Sequence, residues 1–219
     1  MKDLPHIKGR HYIASLVAEG EHSRQDFKFA IGDARKIAHS VSAFANAEGG
    51  RLLIGVKDNG TLAGVRNEED IYVVEQAASR YCRPAVDVEF TAFKVDPGVV
   101  VIRATIPKAT ERPVMCQESD GRWRAYYRVD DENIVAHPLM VRSWQTGAPL
   151  SFTLDSTVQA LLDFLDANPG GVDTQAIALA LGVSHRRAED LVVALASAGV
   201  VGFTYHAPHF LITRSTPQQ

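Results

Sequence analysis

The spacing of apolar positions changes several times along the chain, and each change marks a predicted element. In HYIASLVAEG, Ile13, Leu16 and Val17 recur at helical spacing up to Gly20, which predicts a short first helix. EHSRQDFKFA predicts a strand. From Asp33 to Asn46, Ile37, Ala38, Val41, Phe44 and Ala45 form one helical stripe, with Asp33 at the N-cap and Gly49-Gly50 past the end. RLLIGVKD is a continuous apolar run that predicts a buried strand, and Asn59-Gly60 predicts a hairpin into TLAGV. EEDIYVVEQAASRYC returns to helical spacing through Ile71, Val74, Ala77, Ala78 and Tyr81, with acids in its first turn and Arg83-Pro84 at its stop. VDVEFTAFKV and VVVIRATIP flank Asp96-Pro97-Gly98 and predict another hairpin. RWRAYYRV predicts one more strand, and HPLMVRSW a short helix that closes the domain. Helices interleaved with tight hairpins predict an α+β fold with a mixed sheet rather than a doubly wound parallel one.

The pattern then changes character. GAPLSFTL has the Gly, Pro and Ser content of a linker, which places a first domain at 1–146, a linker at 147–154 and a second domain at 155–219. Val158, Leu161, Leu162 and Leu165 predict an amphipathic helix that ends at Asn168-Pro169-Gly170-Gly171. DTQAIALALG and VSHRRAEDLVVALASAG predict two more helices around a turn at Gly182-Val183-Ser184, and VVGFTYHAPHFLIT a two-stranded ribbon. Helix, helix, turn, helix and hairpin is the order of a small winged helix-turn-helix domain.

Composition narrows the function. The 219 residues are 46% hydrophobic and 22% charged, enough to bury a core in each of two domains. No apolar run approaches the ~20 residues of a membrane helix, and MKDLPHIKGRHY lacks the apolar stretch of a signal peptide, so the expected location is the cytoplasm, with no membrane partner. The two cysteines, Cys82 and Cys116, stand in no Cys-x-x-Cys and no Cys/His spacing typical of zinc, and the eight histidines are scattered, read as surface residues. A net charge of −3 makes any phosphate-binding surface a local patch. From residue 151 on, Arg186, Arg187 and Arg214 face Asp155, Asp163, Asp166, Asp173, Glu189 and Asp190, so the second domain is acidic.

Three segments stand out together: Glu21-x4-Asp26-Phe27-Lys28, then Ala43-Phe44-Ala45-Asn46-x-x-Gly49-Gly50, then Ile54-Gly55-Val56-Lys57-Asp58-Asn59-Gly60. On residue chemistry alone, the middle segment is a helix whose small residues pack tightly on a sheet and whose glycines turn it into the next strand. Glu21 and Asp26 then sit on a solvated strand end, and Asp58 caps a hairpin.

In order and spacing this set resembles the Schlafen AlbA-like domain, and the resemblance runs on through Arg83-Pro84, Ile106-Pro107, Arg112-Pro113 and Tyr126-Tyr127-x-Arg-like residues ending in Arg128, over roughly residues 20 to 144. It implies a nucleic-acid-binding domain that in bacteria often precedes a helix-turn-helix in transcriptional regulators. Some animal relatives are metal-dependent RNases whose carboxylates come from these segments; carried over, Glu21, Asp26 and Asp58 would hold Mg²⁺ or Mn²⁺, and Lys28 a phosphate oxygen. The chain departs from the family pattern in having Asp26 where Glu is usual, and Asp130-Asp131 where a glycine is common. It has no Gly-x4-Gly-Lys-Ser/Thr phosphate loop.

Strand alternation puts Arg122, Arg124 and Arg128 on one face, a row that either follows a phosphate backbone or pairs with the acids Asp130 to Glu132. The third helix of the second domain presents Ser184, His185, Arg186 and Arg187 at its N-terminus, where recognition helices reach base edges, although Glu189 and Asp190 follow at once. The leading expectation is a homodimeric DNA-binding transcriptional regulator that needs no cofactor and contacts nucleic acid through Lys28, Arg51, Arg122, Arg124, Arg128 and the Ser184–Arg187 turn. The alternatives are a Mg²⁺- or Mn²⁺-dependent endoribonuclease acting on RNA through Glu21, Asp26 and Asp58, and a protein-interaction or dimerisation module.

Overall fold

A computed structural model describes residues 5–65 and 69–215. The chain divides into two compact units, Met1–Ala136 and His137–Gln219. It is an α+β protein with a mixed sheet.

In the first unit, β1 (His6–Lys8), β2 (Gln25–Lys28), β3 (Gly50–Ile54), β5 (Glu89–Asp96) and β6 (Val99–Ile106) form a five-stranded sheet in the order β1-β5-β6-β3-β2. The outer pairs β1/β5 and β2/β3 are parallel, and the β5/β6 and β6/β3 pairs are antiparallel. A second, antiparallel sheet runs β4-β7-β8-β9 from Cys82–Arg83 (β4), Met115–Gln117 (β7), Trp123–Val129 (β8) and Glu132–Val135 (β9). Successive residues of β3 point to opposite faces, as the period of a strand requires. Leu53 packs with α1 (Arg10–Ala18) through Ile13 and Leu16, while Leu52 and Ile54 join the core of α2 (Ala34–Asn46) and α3 (Glu69–Arg80).

Helix α2 is the organising element. Asp33 caps it by accepting from the Arg35 N–H at 2.9 Å. Ten of its 13 residues are buried, because it packs on the five-stranded sheet with one side and on β7, β8 and β9 with the other. A helix covered on both sides must satisfy its polar residues internally, and Ser42 and Asn46 do so. The β7 and β8 pairing ends at Met115 and Ala125, so the backbone groups with which Val114 and Tyr126 face each other are not bonded across that pair, although Tyr126 pairs with Val135 of β9 on its other side. Asn46 Nδ2 donates to the carbonyls of Val114 and Tyr126, both at 2.9 Å, and its Oδ1 accepts from Val114 N at 2.7 Å. Ser42 Oγ donates to the Val114 carbonyl and accepts from Tyr126 N. The two side chains thus stand in for the missing stretch of strand.

The glycines after α2 have separate reasons. Gly49 has φ +70 and turns the chain, its N–H bonding the Phe44 carbonyl at 2.9 Å. At Gly50 a Cβ would lie 2.3 Å from the Phe44 ring, so the strand can approach the helix only without a side chain.

Two expectations, on the Asn59-Gly60 hairpin and on α4, need correction, and a third meets the edge of the described residues. The Asn59-Gly60 turn exists, with Gly60 N donating to the Lys57 carbonyl at 2.7 Å, but its arms meet only at the Val56–Leu62 bridge. Strand β3 ends at Ile54 and pairs instead with β2 and β6, because the chain bends at Gly55. The helix expected from Glu68 is described from Glu69, since Glu68 lies outside the described residues. The turn after β8 leads into β9, and Asp130 there adopts φ +49, the left-handed conformation that a glycine would take without strain. Finally, α4 (Pro138–Gln145) does not close the first unit: Leu139 is part of the core of the second, and α4 packs on α7.

The second unit continues with α5 (Ser156–Ala167), α6 (Thr174–Leu181), α7 (His185–Ser197) and a hairpin of β10 (Val201–His206) and β11 (His209–Arg214). Three of the predicted turns carry side-chain caps. Asp155 accepts from Val158 N, Asp173 from Ala176 N and Ser184 from Arg187 N. Leu161, Leu165, Ile177, Val192, Leu195 and Ile212 fill the core, and Val172 bridges to Ile212, tying the loop before α6 to the hairpin.

Asn46 supplies three bonds to buried backbone atoms, so Asn46→Ala should destabilise the protein by about 3 kcal/mol. Asn46→Asp should cost as much or more, because a carboxylate has no N–H for the two carbonyls. Urea unfolding followed by circular dichroism measures both, and a loss below about 1 kcal/mol for either would refute the bridging role.

Candidate nucleic-acid interface

The segment Glu21–Lys28 folds back on itself at a His22–Gln25 bridge and enters β2 beside β3. Asp26 and Lys28 share a face of that strand, two residues apart, and it is the face toward α2 because Asp26 and Lys28 lie in register with Leu52 and Ile54. Asp26 is 4% exposed. Lys28 Nζ stands 2.7 Å from Asp26 Oδ2, an ion pair without hydrogen-bond alignment, and donates to the Phe27 carbonyl at 3.0 Å.

Arg128 closes this site from β8. It is 4% exposed, with its guanidinium 3.8 Å from Asp26 Oδ1 and stacked 4.8 Å from the Phe44 ring centroid. Its two terminal nitrogens donate to Asn133 Oδ1 at 2.9 Å and to the Gln25 carbonyl at 3.2 Å, while Nε is buried without a partner. Burial lowers its affinity for the proton, and the Asp26 and Glu21 carboxylates oppose that loss.

Glu21 meets the same cluster. Its Oε1 accepts from Phe27 N at 2.8 Å; burial raises its pKa above the usual carboxylate range, the Phe27 N–H bond opposes that shift, and the neighbouring Asp26 adds to it. Asp58 does not join them. It lies exposed on the Lys57–Gly60 turn, and among the described residues Glu21, Asp26 and Asp58 do not form a group with ligand atoms within 4.8 Å of one another. The cationic partners of Asp26 are Lys28 and Arg128 of the chain itself. This arrangement does not fit a three-carboxylate Mg²⁺ or Mn²⁺ centre.

The expected row of arginines is also divided. Arg128 is buried in the cluster, because β8 turns that face toward α2. Arg124 on β8 is exposed; Arg122 precedes the strand, exposed, with Nε donating to Asp120 Oδ2 at 2.7 Å. Arg51 is engaged as well, donating to Gln25 Oε1 at 2.6 Å and to Glu19 Oε2 at 2.5 Å. Of the five basic positions proposed for the first unit, Arg122 and Arg124 are exposed and the other three are held in contacts with acids or carbonyls.

In the second unit the Ser184–Arg187 turn lies where α7 begins, with Ser184 as its cap. His185 Nε2 is 3.0 Å from Thr174 Oγ1, and Nδ1 faces Glu189 at 3.7 Å. Arg186 and Arg187 are exposed and make no ion pair with the described residues. Glu189 and Asp190 are paired with Arg142 of α4, at 3.3 and 2.7 Å.

One grouping was missed. Cys116 lies against His39 and Glu118, so a Cys/His cluster does exist, and His39 is half-buried rather than a surface residue. His39 on α2 is far in sequence from Cys116 on β7 and from Glu118 just past that strand; the local signal was the Cys-x-Glu spacing, which sets two ligand-type side chains two residues apart.

A buried helix between two sheets, with an internally neutralised carboxylate cluster at its edge, defines the first unit as an α+β domain of mixed-sheet type. The sequence model of the family described as Schlafen, AlbA_2 matches residues 21–137, more than half of the chain, and the protein belongs to that family. Membership points to a nucleic-acid-binding or related function. No curated protein matches the chain. The crystal structure of the DIP2311 protein from Corynebacterium diphtheriae is 19% identical, covering 91% of this chain and 37% of that one, with a TM-score of 0.45. The chain therefore spans little more than a third of that protein, and the score is too low to show a shared fold. Among the described residues no helix is long and apolar enough to cross a membrane.

Two measurements test the cluster. Arg128→Met should cost about 2 kcal/mol or more, because buried Asp26 keeps only Lys28 as a cation and Asn133 Oδ1 and the Gln25 carbonyl lose their donor. A double-mutant cycle with Asp26→Asn should show coupling of about 1 kcal/mol or more, and additive losses would mean that the pair does not interact. The proton on Glu21 is held more tightly in the folded chain than in the unfolded one. Its contribution to stability is therefore complete below the usual carboxylate range and is lost as pH rises through the raised value. Glu21→Gln keeps an acceptor for Phe27 N and cannot ionise, so its melting temperature relative to the parent should rise between about pH 4 and pH 7. An unchanged difference across that range would remove Glu21 from the cluster's titration.

Proposed function

We propose that the protein is a DNA-binding transcriptional regulator, with a winged helix-turn-helix in its second unit and a homodimer as the working form. The observation that carries this reading is the state of charge at the start of α7. Arg142 and His185 occupy Glu189 and Asp190, the acids that would repel a phosphate backbone, while Arg186 and Arg187 stand exposed in the first helical turn. A helix N-terminus adds its own favourable partial charge for a phosphate.

The order α5, α6, turn, α7, hairpin supports the winged-helix reading, with α7 as the recognition helix and β10–β11 as the wing. Helix-turn-helix proteins commonly match two-fold operators, which favours a homodimer. Arg122 and Arg124 are the positions through which the first unit adds phosphate contacts. Lys28, Arg51 and Arg128 contribute by holding that unit together.

The test is binding of labelled duplex DNA and of structured RNA at low and moderate salt, each with Mn²⁺ and separately with EDTA. DNA should be retained without cleavage in both, with affinity falling steeply as salt rises. Arg186→Glu/Arg187→Glu should weaken DNA binding at least tenfold and lower the salt slope by about 2, since about 0.9 counterion is released per phosphate contact. Metal-dependent cleavage of RNA, lost in Glu21→Ala, would overturn the reading and make the protein a nuclease. An absence of binding to either nucleic acid at low salt would leave a protein-interaction module.

A further inference from the structure

Cys116 lies on β7, and Glu118 follows one residue past the strand's end, where its N–H still bonds the Arg122 carbonyl at 2.8 Å; both side chains meet α2 at His39. The histidine nitrogen, the cysteine sulfur and a carboxylate oxygen all lie within 4.8 Å of one another, with His39 Nε2 3.3 Å from Glu118 Oε2. We propose that His39, Cys116 and Glu118 bind one divalent cation of the zinc class, with solvent as the fourth ligand. The proposal concerns the first unit alone and stands independently of the DNA-binding reading.

The surroundings are built as a ligand set requires. Tyr126 donates its hydroxyl to Glu118 Oε1 at 2.8 Å, which fixes the carboxylate and leaves Oε2 turned to His39. The ring of Tyr126 also stacks on the imidazole of His39, centroids 4.3 Å apart and 16° from parallel. One residue from β8 thus orients two of the three ligands, the role that outer partners play at metal sites. Cys116 is fully buried, whereas the side chains of His39 and Glu118 are 27% and 18% exposed. The sulfur is therefore buried, while the side chains that carry the nitrogen and the oxygen reach solvent.

Ligand chemistry selects the ion. One sulfur, one imidazole nitrogen and one carboxylate oxygen suit a borderline ion held tetrahedrally, and they disfavour Mg²⁺ and Ca²⁺, which take oxygen ligands. Charge agrees, since a thiolate and a carboxylate balance a dication in a partly buried site. Without an ion, burial and the nearby Glu118 push the Cys116 thiol up to about 12, so the thiol is protonated at neutral pH. Binding must then displace that proton: the S–H bond breaks, the S–metal bond forms and the proton leaves to solvent. Cys82, directly across the β4/β7 pair from Cys116, is buried and lies outside the three-ligand group.

The experiment is titration of the full chain, freed of metal, with Co²⁺ and then Zn²⁺. Co²⁺ should bind one to one, with a thiolate-to-cobalt charge-transfer band, the strong visible bands of a tetrahedral site and release of about one proton per ion at neutral pH. Zn²⁺ should abolish the bands, and a large excess of Mg²⁺ should not. Cys116→Ser should remove the charge-transfer band, His39→Ala the one-to-one binding, and Cys82→Ala should retain both. Tyr126→Phe should weaken affinity 10- to 100-fold, the loss typical of an outer partner of a metal ligand. Far-ultraviolet circular dichroism of each variant separates lost binding from lost folding, and the wild-type titration needs no variant. Absence of the charge-transfer band in the wild-type protein, or a band that survives Cys116→Ser and disappears in Cys82→Ala, would overturn the site.

Discussion

Everything in the first unit depends on a helix being buried on both sides. Apart from Arg35 and Lys36 in its first turn, which are exposed, such a helix offers little solvent-facing surface, so the polar side chains it buries must be satisfied by the elements around it. Ser42 and Asn46 meet this constraint by bonding backbone groups that two parting strands leave open. The requirement is reciprocal. The four-stranded sheet can open at Val114 and Tyr126 only because the helix supplies those bonds, and the helix can be buried there only because the sheet is open. The Phe44 ring ties the same helix to two further contacts, the Gly50 backbone on one side and the Arg128 guanidinium on the other.

That packing explains why the basic residues of this unit are so unequal. A charge brought into the space beside α2 is costly unless it is paired and hydrogen-bonded. Arg128 meets both conditions through Asp26, Asn133 and the Gln25 carbonyl, and Asp26 meets the first again through Lys28. The cluster therefore contains its own cations. It resembles a metal centre in its carboxylates and differs from one in having the positive charge supplied by the chain.

The elements were legible because their signals are local. Asp33, Asp155, Asp173 and Ser184 each mark a helix start, and the strand alternation around Asp96-Pro97-Gly98 gave the β5/β6 hairpin. Pairing that depends on distant contacts was less legible. The apolar run of β3 gave a strand but not its neighbours, since β2 and β6 are brought there by the packing of α2 and not by the Asn59-Gly60 turn. For the candidate site, alternation placed Arg122, Arg124 and Arg128 on one face, but periodicity cannot say which part of that face another element covers. The burial of Arg128 follows from where α2 lies. His39, Cys116 and Glu118 were illegible for the same reason, because a helix and a strand far apart in sequence meet only in the fold. Asp130 shows the opposite case: the departure from a glycine pattern marked a position whose backbone is left-handed, although its significance became clear only with the φ angle.

The acidity of the second unit changes meaning once its side chains are placed. Net charge counts Asp155 and Asp173 as repulsive to DNA, yet both are helix caps whose carboxylates accept backbone N–H bonds. Asp166 faces Arg214 at 3.6 Å, and Asp190 is held by Arg142. These charges are local neighbours of donors and cations, and at physiological salt a charge is felt over only about 8 Å. What an approaching phosphate meets at the start of α7 is therefore set by the residues of that turn. Arg186 and Arg187 are exposed there without an ion pair among the described residues, while the acids one turn further along are engaged. A unit can be acidic in sum and cationic at the one surface where a helix end makes cationic charge most useful.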